Sequence, residues 1–101
     1  MEQPFRGWHG HEFESKIFIT TSGRIRFGAV RVNDSTDSDP LEKPVTADLD
    51  YSCADAFFVP GGQANSILSL EPGSRALVLS SSSLEDSLAD DFRIDPTFWR
   101  L

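Results

Sequence analysis

The apolar residues of the chain fall in short runs, rich in β-branched and aromatic side chains, that are separated by Gly, Pro, Asn and Asp. This pattern predicts strands joined by turns, because helices need a longer period of three to four residues. The predicted strands lie at residues 16–20, 24–32, 45–50, 55–60, 65–70 and 75–80. Turns are predicted at the sequences SG (22–23), PGG (60–62) and EPGS (71–74).

The run RIRFGAVRV alternates between apolar and charged residues. Since side chains of a strand repeat with period two, Ile25 and Phe27 are predicted on one face, and Arg24 and Arg26 on the other. Gly28 within this run predicts a bulge or a bend.

Three segments depart from the strand pattern. Residues 33–44 are polar and contain proline, so they predict an exposed loop. Residues 84–92 predict one or two helical turns, and residues 94–99 predict an extended closing segment. The whole pattern predicts an all-β antiparallel barrel or sandwich, whose open mouth lets polar side chains converge on a ligand.

Composition narrows the class of protein. A chain of 101 residues predicts a single domain over 1–101. The net charge of −7 argues against nucleic acid as a partner. A single cysteine, Cys53, fits a reducing cytoplasm. The N-terminus has no signal-peptide pattern, and no apolar run approaches the roughly 20 residues that cross a bilayer. We therefore expect a soluble cytoplasmic protein without membrane contact.

Two histidines, His9 and His11, stand one residue apart before the first predicted strand. If they lie in a strand, both side chains share one face. Two neighbouring imidazoles can bind a transition metal or move protons. Two solvated loop histidines are the alternative that the spacing leaves open.

The spacing resembles the first motif of metal-binding cupins, G-x5-H-x-H-x(3,4)-E-x6-G, in which the two His and the Glu bind the metal. Here Lys16 stands in the place of the Glu. In the sequence PGGQAN, Asn65 stands where the second motif, P-x-G-x2-H, has its His. Because a lysine ammonium repels a metal ion, we expect neither a metal nor another cofactor.

A lysine in that place resembles one cupin branch, the dTDP-4-dehydrorhamnose 3,5-epimerases and the related dTDP-sugar 3,4-ketoisomerases. The sequences that carry the resemblance are RGWHGH, KIFITTSG, VPGGQANSILSL, RALVLSS and RIDPTFW, within residues 5–32 and 56–99. The resemblance implies a cupin-type antiparallel barrel (a double-stranded β-helix or jelly roll) in a short form. It also implies a homodimer and a nucleotide sugar, dTDP-linked, as the substrate.

Enzymes of this branch remove a proton beside the carbonyl of a 4-keto sugar, which requires a base that titrates near neutrality and a cation for the enolate. The resemblance implies that His9 is the base and Lys16 the cation. Asp95 then orients His9, although a turn-forming Asp before Pro is the alternative. His11 shuttles a proton or hydrogen-bonds the ligand.

The resemblance also implies two substrate-binding residues. Arg6 stands where the branch binds the nucleotide diphosphate, and guanidinium suits that bidentate task. Asn65 stands where the branch has a second histidine of the site.

One catalytic residue of the double epimerases has no counterpart here. Their tyrosine acid falls in a segment that reads SSSL at residues 81–84, and serine is a far poorer acid. Three possibilities remain: a one-centre epimerase, a ketoisomerase-like enzyme, or a catalytically degenerate cupin that binds a nucleotide sugar or serves as an assembly module. Of these, an epimerase or isomerase in cell-surface polysaccharide biosynthesis is the function that we expect, because the base, the orienting aspartate, the cation and the phosphate-binding arginine are all present.

Overall fold

The chain forms two facing antiparallel sheets. The structure is a computed structural model and describes residues 5–32, 43–97 and 99–101. Its elements are β1 (Phe5–His11), β2 (Lys16–Ser22), β3 (Arg24–Arg31), β4 (Val45–Asp50), β5 (Phe57–Val59), β6 (Gln63–Ser69), β7 (Arg75–Ser80), α1 (Leu84–Ala89) and β8 (Asp91–Arg93). One sheet has five strands in the order β4-β3-β6-β1-β8, and the other has three in the order β5-β2-β7. The predicted all-β antiparallel architecture is confirmed.

The main core lies between the two sheets. Alternate residues of β3, among them Ile25 and Phe27, are buried there, as the period-two pattern predicted. The other face of β3 is polar in its first half, where Arg26 donates a hydrogen bond of 2.7 Å to the carboxylate of Asp48 on β4. The buried residues of this core are Phe18, Ile25, Phe27, Ala29, Leu49, Phe57 and Val59.

A second apolar cluster covers the outer face of the five-stranded sheet. Trp8, fully buried, packs edge-on against Trp99 with ring centroids 5.2 Å apart, and its indole nitrogen donates to the Trp99 carbonyl at 3.1 Å. Val30 and Ala64 are the other buried members of this cluster. The segment that contains Trp99 therefore packs over β1, the strand that carries both histidines.

Two local predictions are corrected by the structure. The bulge predicted at Gly28 is wrong, because β3 keeps regular register with both of its neighbours through this residue. A Cβ at Gly28 would lie 2.3 Å from the Leu101 side chain, so the glycine makes room for the C-terminal residue. Asp91 and Phe92, expected in the helical stretch, form β8 instead, and the Phe92 ring packs over the bare backbone of Gly10.

The remaining predicted segments are only partly described. α1 is short and begins at its cap Ser83, whose hydroxyl accepts from the Asp86 amide at 3.1 Å. Among the residues that the structure describes, no helix has the length and apolar character needed to cross a membrane. The loop predicted at residues 33–44 lies, apart from residues 43 and 44, outside the described residues.

Candidate functional site

A cluster of polar side chains gathers where β1 and the start of β2 face the end of β7, α1 and β8. We call it the polar cluster. Its members come from residues 9–16, from β6 and from residues 80–93: His9, His11, Glu14, Lys16, Asn65, Ser80, Ser87, Asp91 and Arg93.

His9 and Lys16 face the same space between the sheets. His9 lies directly opposite Asn65, and Asn65 lies opposite Ala29, which belongs to the main core. Residues opposite each other in a sheet share a face, so His9 points to the core side. Lys16 lies opposite Val59, another core residue, and therefore also points inward. The strand register therefore turns both the candidate base, His9, and the candidate cation, Lys16, toward the space between the two sheets.

Glu14 forms the buried end of the polar cluster. Its side chain is 1% exposed and lies 3.7 Å from the His11 ring nitrogen Nε2 through Oε1, and 3.7 Å from Lys16 Nζ through Oε2. The Ser80 hydroxyl donates a hydrogen bond of 2.7 Å to Oε2. Within the described residues, Oε1 has no hydrogen-bond partner. A buried carboxylate thus bridges an imidazole and an ammonium.

The surroundings keep Glu14 ionised. Burial raises the pKa of Glu14, but hydrogen bonding by Ser80 and Ser87 and the electrostatic effects of His11 and Lys16 outweigh it, so this pKa lies below its usual value of 4.5. The carboxylate is therefore negative at neutral pH, and the stability that this pairing supplies is lost as the pH falls through the lowered pKa.

The surroundings of His9 keep its ring neutral. Burial of the ring is the largest cause that holds the pKa of His9 below 6.5, and the positive charge of Arg93 is the second, with Asp91 opposing them. Lys16 and His11 lower the pKa of His9 further. At neutral pH the imidazole is mostly uncharged and able to accept a proton.

His11 lies deeper than His9. Its side chain is 6% exposed, and its Nε2 atom lies 3.6 Å from Asp91 Oδ1 and 3.5 Å from the Ser87 hydroxyl. Asp91 is directly opposite His11 in the β1–β8 pair. The ring is thus enclosed by acidic and hydroxyl groups of the chain, which leaves little room for contact with a ligand.

The loop that carries Glu14 is fixed by Asp90, the residue at the end of α1. Its carboxylate accepts hydrogen bonds from three successive amides, those of Glu12 at 3.0 Å, Phe13 at 2.9 Å and Glu14 at 3.0 Å. Although burial raises the pKa of Asp90, these bonds hold it below its usual value. One side chain therefore sets the path of the β1–β2 connection.

Replacement of Asp90 by alanine is expected to destabilise the fold by about 1–2 kcal/mol, because three amides lose a charged acceptor and must hydrogen-bond to water instead. Asp90→Asn, which keeps one carbonyl oxygen, should lose less. Urea unfolding followed by tryptophan fluorescence measures both variants. Equal stability of Asp90→Ala and the parent would contradict the assigned role of this carboxylate.

Two predicted substrate-binding residues, Arg6 and Asn65, lie on the face of the sheet that carries His9. A register shift between Arg6 and His9 places Arg6 opposite Ile67, which packs on the main core. Because the shift adds one residue to β1, the odd spacing still leaves Arg6 and His9 on one face. Arg6 is exposed, whereas Asn65 is buried directly opposite His9.

Asp95 forms its described hydrogen bonds within its own turn. Its carboxylate is exposed and accepts two hydrogen bonds from Thr97, one from the amide at 2.8 Å and one from the hydroxyl at 2.6 Å. These bonds lower the pKa of Asp95 and form a turn at the Asp-Pro-Thr sequence. The described residues include no bond between Asp95 and His9, so the turn-forming alternative describes this residue, and we do not assign it the orienting role.

The sequence patterns missed Glu14 and Asp91 as members of the site. Glu14 precedes Lys16 by two positions, and an extended connection before β2 would have placed both on one side. Asp91 gave no such signal, because its proximity to His11 depends on β8 pairing with β1.

The residues present do not fit a metal ion. In the described part of the chain, no group of three His, Cys, Asp or Glu side chains is arranged to hold one. Lys16 occupies the inward position that the resemblance gives to a carboxylate ligand, and it is paired with Glu14. We derive no chemistry through a metal.

Comparison with known proteins identifies the fold. No protein-family model matches the chain, and no curated protein matches it in sequence. The chain is similar to the crystal structure of the capsular polysaccharide assembling protein CapF from Staphylococcus aureus, with a TM-score of 0.76 and 16% identity over 93% of this chain. A crystal structure of CapF with the inhibitor 3-isopropenyl-tropolone matches with a TM-score of 0.75 and 16% identity, again over 93% of this chain. The chain spans about a quarter of those proteins, 26% and 25% respectively. The likeness establishes that this chain has the fold of a small all-β cupin.

Proposed function

We propose that this protein is a nucleotide-sugar epimerase or isomerase that acts on a dTDP-4-keto-6-deoxy sugar by metal-free proton abstraction beside the carbonyl. The observation that carries the proposal is the placement of His9 and Lys16 on facing inner surfaces of the two sheets. The burial and the positive neighbours of His9 lower its pKa and keep it neutral, as a base must be.

The reaction begins when neutral His9 takes the proton of the carbon next to the keto group. The C–H electron pair moves into the carbonyl, and the ammonium of Lys16 stabilises the enolate oxygen that forms. When the imidazolium of His9 gives the proton to the former carbonyl carbon, and the hydroxyl proton of the deprotonated carbon passes to the enolate oxygen, the product is a ketoisomer. Inversion at the deprotonated carbon requires a proton from the opposite face of the enolate, which solvent supplies. Proton return by His9 is favoured over return by His11, because the His11 ring is enclosed by Asp91, Glu14 and Ser87.

Two arginines and one amide supply the binding part of the proposal. Arg6 is exposed on the face of His9 and suits the diphosphate of a nucleotide sugar. Arg93 lies directly opposite His9 in the β1–β8 pair, and its side chain is 73% exposed. It adds positive charge beside His9. Asn65, opposite His9, is suited to hydrogen-bond a sugar hydroxyl.

We infer a role in cell-surface polysaccharide biosynthesis, and we assign the activity to the cytoplasm. The similarity to the capsular polysaccharide assembling protein CapF supports the first inference. The free thiol of Cys53, which a reducing compartment preserves, is in keeping with the second.

Proton exchange with heavy water tests the proposal directly. Incubation with a dTDP-4-keto-6-deoxy sugar in heavy water should replace a proton at C3 or C5, which proton NMR detects as a lost signal. Exchange that persists unchanged in both His9→Ala and Lys16→Ala would contradict the catalytic assignment. In the product, altered proton–proton couplings of the sugar ring identify an epimer. A carbonyl group at a different ring carbon identifies a ketoisomer.

A second candidate is a catalytically degenerate cupin that binds a nucleotide sugar or serves as an assembly module. It is favoured by the position of Asp95, whose carboxylate bonds to Thr97 and, among the described residues, has no hydrogen bond to His9. It predicts that a dTDP-sugar binds, that Arg6→Ala weakens the binding, and that no proton exchanges. Calorimetric titration combined with the exchange assay separates the two functions.

We also propose that the protein is a homodimer that pairs through β7. This strand is at the edge of its sheet, and Leu77 and Leu79 are 49% and 48% exposed on its outer face. On β5, two strands away, Phe58 is 59% exposed, and the register β5-β2-β7 places it on the same face. After Arg75 the edge strand is uncharged and mainly apolar, which favours pairing with another strand.

Leu77→Lys and Leu79→Lys together are expected to convert the dimer to a monomer, because the charges oppose burial of this face. Light scattering coupled to size-exclusion chromatography measures the mass. Leu88→Lys on α1, where the leucine is 70% exposed, is the matched control and should leave the dimer intact. A parent that elutes as a monomer contradicts the dimer.

A further inference from the structure

We propose that Glu14 is a positioning residue, which holds the Lys16 ammonium in place for the reaction, and that Asp90 in turn holds Glu14. The inference rests on the proposed function, since Lys16 acts there as the cation for the enolate. The sequence patterns gave Glu14 no role, although it forms the buried end of the polar cluster.

The geometry of Glu14 connects the two halves of the site. Oε2 lies 3.7 Å from Lys16 on β2 and accepts from Ser80 on β7, while Oε1 lies 3.7 Å from His11 on β1. Ser87 on α1 and Asp91 on β8 both approach the same ring nitrogen of His11, at 3.5 Å and 3.6 Å. The ammonium is therefore directed by a charge that is itself held from both sheets.

The burial of this carboxylate is costly, so it points to a role other than stability. A buried ion pair gains little over well-packed apolar residues of similar size, because both charges lose their hydration. Glu14 Oε1, which has no hydrogen-bond partner among the described residues, adds to that cost. A site that needs a cation at one fixed position gains from such a carboxylate, because Lys is otherwise a flexible side chain.

The loop before β2 supplies the rigidity that this role requires. Asp90 binds the amides of Glu12, Phe13 and Glu14, so the backbone of Glu14 is fixed. The amide of Ser15 donates to the Ser81 hydroxyl at 2.9 Å and fixes the next residue. A catalytic group that is supported in this way loses little freedom on substrate binding.

Glu14→Gln tests the inference, because glutamine keeps the shape of the side chain and removes its charge. In the exchange assay, kcat is expected to fall about 10- to 100-fold while KM stays within about twofold, since the cation is misplaced but the nucleotide still binds. Glu14→Asp should recover part of the loss. The matched control is Glu12→Gln, which makes the same change at an exposed position of the same loop and should leave kcat unchanged. An unchanged kcat in Glu14→Gln overturns the inference.

A second measurement does not depend on activity. The chain has two lysines, Lys16 and Lys43, so the side-chain ammonium signals in a nitrogen–proton correlation spectrum are readily assigned. In mildly acidic buffer, where the lowered pKa keeps Glu14 ionised, Lys16 should give a sharp signal that Glu14→Gln broadens and Glu12→Gln does not. If the parent exchanges no protons, the proposed function fails, and this spectrum alone decides the positioning: loss of the signal in Glu14→Gln supports it, and an unaltered signal overturns it.

Discussion

Replacement of His9 by glutamine is expected to lower the rate of sugar C–H exchange by about 10²- to 10⁴-fold, the range that a general base contributes. Glutamine has a similar size and can occupy the place opposite Asn65, so the fold should persist. No other described residue on this face combines a neutral nitrogen base with partial exposure, since Arg93 is a cation and the His11 ring is enclosed. The loss should therefore appear in kcat.

The pH dependence of the parent supports or contradicts the same assignment. Burial and the charge of Arg93 lower the pKa of His9 below 6.5, so the exchange rate should rise with pH and level off before neutrality. The free energy of unfolding should also rise with pH. His9 binds a proton more readily in the unfolded chain than in the folded one, so acid below about pH 6.5 favours unfolding. A rate that instead increases above pH 7 would identify another base.

The strands were the part of the structure that the sequence predicted well. β4 and β7 have the predicted bounds, and β2 and β3 begin at the predicted residues. These strands have one face in the core, so period two is imposed on their residues by burial. β8 was not predicted, because a strand of three residues is too short to show an alternation of apolar and polar positions. Its formation depends on pairing with β1.

The part of the candidate site that depends on strand register could be predicted from the sequence. His9, Lys16 and Asn65 come together because each lies in a strand opposite a core residue or a neighbour of one. The position of Glu14 depends on Asp90 and on Ser80, 76 and 66 residues away along the chain, and no short motif contains that information. Asp95 illustrates the opposite case, since a local hydrogen bond to Thr97 decides its position.

Phe27→Ala is expected to have the largest effect on stability, a loss of about 3–5 kcal/mol. The side chain is fully buried, and its ring centroid lies 5.4 Å from that of Phe18 and 5.7 Å from that of Phe57. Phe27 belongs to the five-stranded sheet and the two other rings belong to the three-stranded sheet, so their contact connects the sheets. An alanine there leaves a cavity that the strands cannot close.

Urea unfolding followed by tryptophan fluorescence measures this loss, and thermal unfolding should show a melting temperature lower by more than about 10 °C. Phe13→Ala is the matched control, because Phe13 is 78% exposed and its removal should change stability by less than about 0.5 kcal/mol. A loss below about 1 kcal/mol in Phe27→Ala would mean that the two sheets do not depend on this stack. In that case the same contact could not hold His9 and Lys16, which lie on opposite sheets, at a fixed separation. The stability experiment therefore also tests whether the scaffold is rigid enough for the proposed chemistry.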